Sequence, residues 1–502
     1  MSVAGINDVE HKPEMAVPAT ARAQWMLPCA IGVCLYAGLL VLGNRLLADP
    51  DTYWQIKIGQ WILDTGSLPR TDVFSFTMPG QPWISTQWLA QVCYAAAFSL
   101  AGWTGPVVLT AASIAAAFAI LAWFLRRRLD TPKALILLMA ALAIASPHFL
   151  VRPHALAMPV MVAWIAALIA AADRGEAPSF WLLPLIALWA NLHGSFILGL
   201  ALIGPIALDV VLKVDASARM SLLLRWFLFG LAALTASCLT PYGFDALLAA
   251  RNILNLGAAL PLITEWRPMD FSRLGAFEVC LLLGIGAALL KGLTLPPMRI
   301  VLVLGLLHMA LANIRNATVL ALLLPMVLAA PLAAQLGRPQ VASPKSASSR
   351  SVVGWAAGVL VVALTLAVLA MGRYAPPSGL APAVAALKER GVSRVLNDYD
   401  FGGYLIWAGV PVAIDGRTEL YGERFMVELD NAMTLKSPDV LFNLLKLHRI
   451  DATLLRRTTP AALLLDHVDG WKKVFADDDV VAHVRDPSAR HSAAPVIKSA
   501  SN

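Results

Sequence analysis

Charge is what this chain has least of. Only 14% of its 502 residues are Asp, Glu, Lys or Arg, against 58% hydrophobic. With a mean hydropathy of +0.68, that balance excludes an ordinary soluble domain and indicates a polytopic membrane protein. Cysteine is scarce as well. Cys29, Cys34, Cys93, Cys238 and Cys280 sit in or beside apolar segments without CxxC spacing, which suggests neither a zinc site nor a disulfide framework. No compact HExxH or GxSxG motif is present. The first 24 residues mix both charge signs, and no small-residue cleavage site follows. Residues 1–26 therefore read as a cytoplasmic segment before a retained first span. The net charge of +7 is dispersed over short loops, an arrangement that fits membrane topology better than nucleic-acid binding.

What is present is a series of apolar runs near the roughly 17 to 25 residues that cross a bilayer. They cover 27–47, 105–125, 134–150, 155–172, 181–194, 196–212, 226–240, 274–290, 300–314, 317–334 and 352–372. A twelfth stretch, 87–103, is short and carries Gln87 and Gln91. Basic residues in short loops stay cytoplasmic. If 87–103 lies flat at the interface, the loops "RRRLDTPK", "ADRGEAP", "KVDASARMSLLLR", "KGLTLPPMR" and "GRPQVASPKSASSR" all satisfy that rule. The expectation is eleven spans over 27–372, a long first exported loop (48–104) with interfacial helices, and an exported C-terminal part. Trp88, Tyr94, Phe98 and Trp103 suit the headgroup boundary.

On this topology the polar clusters at span ends collect on the exported face: the 48–104 loop, "VRPH" (151–154), "WANLHGS" (189–195), "TPYG" (240–243), "ITEWRPMD" (263–270) and "NIRN" (313–316). A shared site follows. An ionised carboxylate at membrane depth costs about 2.5 to 3.5 kcal/mol even on the mild insertion scale, so Asp49 and Asp51 belong at the water boundary. "TYWQIKIGQWI" places Tyr53, Ile56 and Gln60 on one helical face, as in a helix lying along the membrane. Facing the acids would be Arg152, His154, His193, Glu265, Arg267 and Arg315. Arginine forks match phosphate oxygens and keep their charge, and a carboxylate can accept a proton from an attacking hydroxyl. Group transfer from a phosphate leaving group needs both.

Residues 373–486 read as a small α/β domain, with helices at "APAVAALKERG", "GGYLIWAG" and "SPDVLFNLLKLHRI" and strands at "RVLND", "PVAID", "DATLLRR", "WKKVFA" and "VVAHVR". "YDFGGYLIW" lacks nucleotide-binding spacing. In "IDGRTELYGER" the residues Asp415, Arg417, Glu419, Tyr421 and Arg424 cluster after a strand end, where α/β sheets place ligands. Asp415, Arg417 and Tyr421, with Asp72 of the first loop, are candidate acceptor contacts; the alternative is a salt-bridged loop that docks the domain. The tail, 487–502, reads as disordered.

The stretches "DPDTYWQIKIGQWI", "GSLPRTDVFSFTMPGQPWISTQWLAQ", "VRPHALAM", "WANLHGSFILGL", "EWRPMDF" and "NDYDFGGYLIWAGVPVAIDGRTELYG" resemble a bacterial multi-pass branch of the GT-C glycosyltransferase superfamily. That resemblance implies a GT-C-like helical membrane fold, a polyprenyl-phosphate sugar donor, and a glycan, lipid or protein acceptor at the periplasmic face of the inner membrane. It places Asp51, with Asp49 as partner, at the first-loop catalytic acid. The second exported loop supplies Arg152 and His154 where several metal-dependent members have a carboxylate, which weakens a divalent-cation assignment while leaving one open, with Glu265 as a substitute ligand. A transporter and a non-catalytic envelope-binding protein are the rival readings. Pro184, Pro205 and Pro325 could kink spans and His308 lies midspan, but no repeat is visible.

Overall fold

The computed structural model describes residues 21–254, 256–337, 349–377 and 379–486. Most of the N-terminal segment, most of the "GRPQVASPKSASSR" loop and the 487–502 tail lie outside the described residues. Each apolar run forms a helix: among them Ala21–Val41, Thr104–Arg126, Thr131–Ala145, Pro153–Asp173, Ala216–Ser237, Ala276–Lys291, Pro297–Ala312 and Ala317–Gln335. Among the described residues, five helical stretches are long and apolar enough to cross a membrane, and six shorter apolar helices accompany them. The run predicted at 226–240 begins ten residues earlier, at Ala216; Arg219 and Arg225 in its first turns hid that start from hydropathy. Thr104–Arg126 packs between Ala21–Val41 and Pro153–Asp173 and centres the bundle. Its buried face is rich in small residues, including Ala111, Ala115, Ala117 and Ala122. Lipid tails offer no hydrophobic drive between helices, so close packing of this kind is what holds the bundle.

The basic loops meet at one end of the bundle. Arg299 reaches Asp173 at 2.6 Å and Asp209 at 2.7 Å, Arg128 reaches Asp173 at 3.0 Å, and Lys213 reaches Asp209 at 2.8 Å. The buried Arg299 ties three helices through two carboxylates, a network that loop charge alone did not indicate.

At the other end lies the first loop. Its helix Asp51–Thr65 ends on Gly66, which takes the left-handed φ of 62° that frees the chain to turn. The second loop helix, Trp88–Ala101, has 14 residues and rises about 21 Å, short of the roughly 30 Å hydrocarbon core. Gln91 does not face lipid: its amide donates to Gln55 Oε1 at 2.8 Å and its oxygen accepts from Ser85 Oγ at 2.8 Å. Sequence placed the Asp51–Thr65 helix along the membrane surface. Here it is enclosed, with Thr52, Tyr53, Trp54, Gln55, Ile56 and Ile58 all buried, because the C-terminal segment covers it.

That segment carries a four-stranded sheet of β1 (Val395–Asn397), β2 (Ala452–Arg456), β3 (Trp471–Ala476) and β4 (Val480–Arg485). The order is β1-β2-β4-β3, with β1 and β2 parallel and the other pairs antiparallel. The strand expected at "PVAID" is reduced to bridges at Val412, which joins β1 on one side and Ser75 of the first loop on the other. Gly409 and the Asp415-Gly416 turn leave it no length. The first loop therefore extends the sheet beyond its β1 edge. Trp54, Ile58, Ile62 and Trp83 share one apolar core with Val384, Val395, Leu405 and Val412, so loop and C-terminal segment fold as one layer over the helical bundle.

Candidate active site

The Asp-Pro-Asp sequence builds the first corner. Pro50, with φ of −64°, precedes the helix, and Asp49 Oδ1 accepts the backbone N–H of Asp51 at 2.7 Å. Asp49 thus satisfies one of the orphan donors of the first turn. The second polar cluster is pinned beside it: Val151 donates its N–H to Leu46 at 2.8 Å, and Thr52 Oγ1 donates to the Val151 carbonyl at 3.0 Å. Tyr94 OH donates to the Arg152 carbonyl at 2.9 Å. Arg152, extended at the start of the Pro153–Asp173 helix, is then aimed at the acids. Its Nη2 lies 2.8 Å from Asp51 Oδ2, its Nε pairs with Asp49 and its Nη1 with Glu265. Three carboxylates share one guanidinium.

Asp51 and Glu265 face open space, and Asp49 does not. Asp51 Oδ1 accepts from Trp54 Nε1 at 2.9 Å. Burial raises its pKa to about 6, opposed by Arg152 and reinforced by Asp49. Gly416 packs against Asp51 so closely that any Cβ there would overlap the carboxylate, which is why the turn beside the acid reads Asp-Gly.

A cavity of about 1200 Å³ opens in front of Asp51. It brings together Arg152, His154, His193, Glu265, Arg267 and Arg315, which come from four separate span ends. Asp49 stands behind this wall, on Arg152. His193 Nδ1 is 2.7 Å from Ser195 Oγ, which also accepts from Trp189 Nε1 at 3.0 Å, so His193 is oriented by its own helix break. The His154 ring sits 6.2 Å from it, edge to face. Arg267 is exposed and donates to the Pro261 carbonyl at 3.0 Å. Arg315 lies over the Trp266 ring at 5.2 Å and has no carboxylate ion pair among the described residues. Ile197, Leu198, Leu248, Leu262, Met309 and Val319 give the cavity an apolar side.

The C-terminal segment closes the polar side with residues that the sequence reading did not assign to the site. Tyr399 lines the same cavity as Asp51 and Arg152, and burial pushes its phenol well above the ordinary range, leaving it a neutral donor. Glu419 lines the cavity, accepts from Trp83 Nε1 at 2.9 Å, and has its pKa raised by burial. Asp398 and Asp400 flank Tyr399 on the same wall, and both pair with Arg456. The signal available in the sequence was the density of acids in "NDYD" and "GRTE".

Asp72, Asp415, Arg417 and Tyr421 meet, but away from the cavity. Arg417 donates through Nη1 to Asp72 Oδ1 at 2.6 Å, and through Nε and Nη2 to Asp415 at 2.8 and 2.7 Å. Tyr421 OH donates to Asp415 Oδ2 at 2.6 Å. The Arg417, Asp72 and Asp415 side chains are 0% exposed, and Arg417 lies between the rings of Phe74 and Trp83. The four residues read as acceptor contacts are enclosed with one another. Their placement is that of a dock, holding the first loop to the C-terminal segment and fixing the Asp-Gly turn on Asp51. Among the described residues no three His, Cys, Asp or Glu side chains gather as metal ligands.

The fold is similar to that of archaeal oligosaccharyltransferases. It matches the apo oligosaccharyltransferase of Archaeoglobus fulgidus with a TM-score of 0.54 at 11% identity, over 86% of this chain and 69% of that one. The archaeal oligosaccharyltransferase AglB of the same organism, in complex with an inhibitory peptide and a dolichol-phosphate, matches with a TM-score of 0.55 at 10% identity, over 93% and 75%. Apo ArnT from Cupriavidus metallidurans aligns at 14% identity over 92% and 98%, with a TM-score of 0.32, and the fold assignment rests on the first two. The sequence matches no protein-family model and no curated protein.

Proposed function

We propose that this chain is a membrane glycosyltransferase that moves a sugar from a polyprenyl-phosphate carrier to an acceptor hydroxyl of a glycan, lipid or protein. The observation that carries the reading is the joint lining of one cavity: Asp51 on a polar wall, Arg315 without a carboxylate partner, and an apolar side formed by the helical bundle. A lipid-borne phosphate needs all three. The fold it shares with an oligosaccharyltransferase that holds a dolichol-phosphate supports the same reading.

In this mechanism the acceptor oxygen attacks the anomeric carbon. The bond from that carbon to the phosphate oxygen breaks with its electron pair on the phosphate, and Asp51 takes the acceptor proton. Arg315, seconded by Arg267, meets the phosphate charge as it develops. Arg152 is committed to three carboxylates and is less suited to that task than the sequence suggested. His154 and His193 stand on the donor side, while Tyr399, Asp400 and Glu419 face the acceptor. In this reading the chain crosses a bacterial inner membrane eleven times, with its N-terminus in the cytoplasm and the cavity on the periplasmic side. The test is turnover by purified protein with a panel of radiolabelled polyprenyl-phosphate sugars and a cell-envelope acceptor extract. Transfer by the parent that Asp51→Asn abolishes, with donor binding retained, supports the assignment; transfer that survives Asp51→Asn removes Asp51 from the chemistry.

A further inference from the structure

Three carboxylates from two parts of the chain, Asp49 and Asp51 of the first loop and the distant Glu265, converge on one point, and the group at that point is the guanidinium of Arg152. Convergent carboxylates at a membrane boundary ordinarily hold a hard divalent cation, because their mutual repulsion must be neutralised. Here each of three guanidinium nitrogens takes a different carboxylate, so the oxygens that would ligate an ion are separated by the cation already present. We propose that Arg152 is a resident replacement for a divalent cation, and that this site works without one.

The anchoring of Arg152 supports the proposal. Its backbone is fixed by the Tyr94 hydroxyl and by the neighbouring bond from Val151 to Leu46, and its side chain is only 17% exposed. The guanidinium is therefore held within the site by an anchored backbone and by ion pairs to the three acids. It differs from a metal in two ways. It carries one positive charge against three negative ones, and it has no open coordination position for a phosphate oxygen. The phosphate then needs a second cation, and the cavity supplies it in Arg315, over Trp266. Two arginines divide the work that one divalent ion performs elsewhere: Arg152 gathers the acids as a positioning residue, and Arg315 faces the donor.

This inference rests on the transferase reading for its meaning, but its test does not. Mn²⁺ binding is measured by electron paramagnetic resonance on the purified full chain, for the parent, Asp49→Asn, Arg152→Ala, Arg152→Met, and Arg152→Ala combined with Asp49→Asn. The parent is expected to leave the free Mn²⁺ signal unchanged up to about 1 mM, the weak end of carboxylate sites. At least one single variant should take up one ion per chain, and the added Asp49→Asn should remove it. One Mn²⁺ bound by the parent and lost in Asp49→Asn overturns the proposal. So does the absence of binding in every folded Arg152 variant, since the carboxylates would then not form a cation site. If neither variant folds, the parent and Asp49→Asn decide alone. Where transfer is detected it should persist in EDTA, and loss restored by Mn²⁺ overturns the proposal. Absence of transfer under all conditions counts against the transferase reading and leaves the Mn²⁺ result standing.

Discussion

Trp83 Nε1 donates to Glu419 Oε1 at 2.9 Å across 336 positions of chain. The bond joins the first loop to the C-terminal segment at the rim of the cavity and holds a half-buried carboxylate open to it. An amide at 419 still accepts from Trp83, so Glu419→Gln keeps the fold. Loss of the charge-assisted contact to an acceptor hydroxyl should lower kcat/KM for the acceptor about tenfold, near 1.4 kcal/mol, with donor affinity unchanged. Steady-state kinetics with each substrate varied separately checks this.

The pH response follows from Asp51. Its pKa of about 6 requires the rate to climb about tenfold per unit below pH 6 and level off above it, because only the ionised acid accepts a proton. Stability runs the other way. A carboxyl whose folded pKa lies above its unfolded value of 3.8 is penalised when ionised; the penalty is absent below about pH 4, grows towards pH 6 and is complete above it. Asp51→Asn should therefore raise the melting temperature at pH 8 relative to parent and leave it unchanged at pH 4. A fall at pH 8 would mean that the pair with Arg152 outweighs burial.

Arg417 tests the dock. Its charge is enclosed with Asp72 and Asp415, and removing one member of such a group leaves the others buried without compensation, at about 3 to 5 kcal/mol. Arg417→Ala should lower thermal stability by that amount and expose the bond after Arg70 to trypsin. Asp72→Asn, which leaves Arg417 paired to Asp415, should cost less.

Hydropathy was enough to locate the helices, since each crossing must satisfy its backbone internally and advertises itself as an apolar run. The meeting of Asp51, Arg152, His154, His193, Glu265, Arg267 and Arg315 at one end of the bundle was legible for a related reason: basic loops sort to one side and leave the remaining polar clusters together. The layer above them was not legible. Gly403 packs against the Pro50 backbone and Val412 bridges to Ser75, and neither contact has a local signature. The same long-range packing carries Tyr399 and Glu419 into the cavity and draws Arg417 and Tyr421 away from it. Residues of one short motif, "GRTELYGE", thus divide between two environments that spacing alone could not separate.

Arg315 and Arg267 line the same cavity but differ in commitment. Arg267 is exposed and already donates to the Pro261 carbonyl, so water screens much of its charge. Arg315 lies over Trp266, within electrostatic reach of Asp51 and Arg152 and without a carboxylate of its own among the described residues. A phosphate arriving at Arg315 forms charge-assisted hydrogen bonds in a poorly hydrated setting, each worth about 1.5 to 3 kcal/mol. Arg315→Ala should weaken binding of a polyprenyl-phosphate by roughly 10- to 100-fold, while Arg267→Ala should change it less than about threefold. Arg315→Lys should recover only part of the loss, because an ammonium offers no planar fork. Titration of a fluorescent polyprenyl-phosphate into detergent-purified parent and variants measures all three. Equal losses at the two arginines would place the phosphate between them, nearer the cavity mouth than Asp51 could serve.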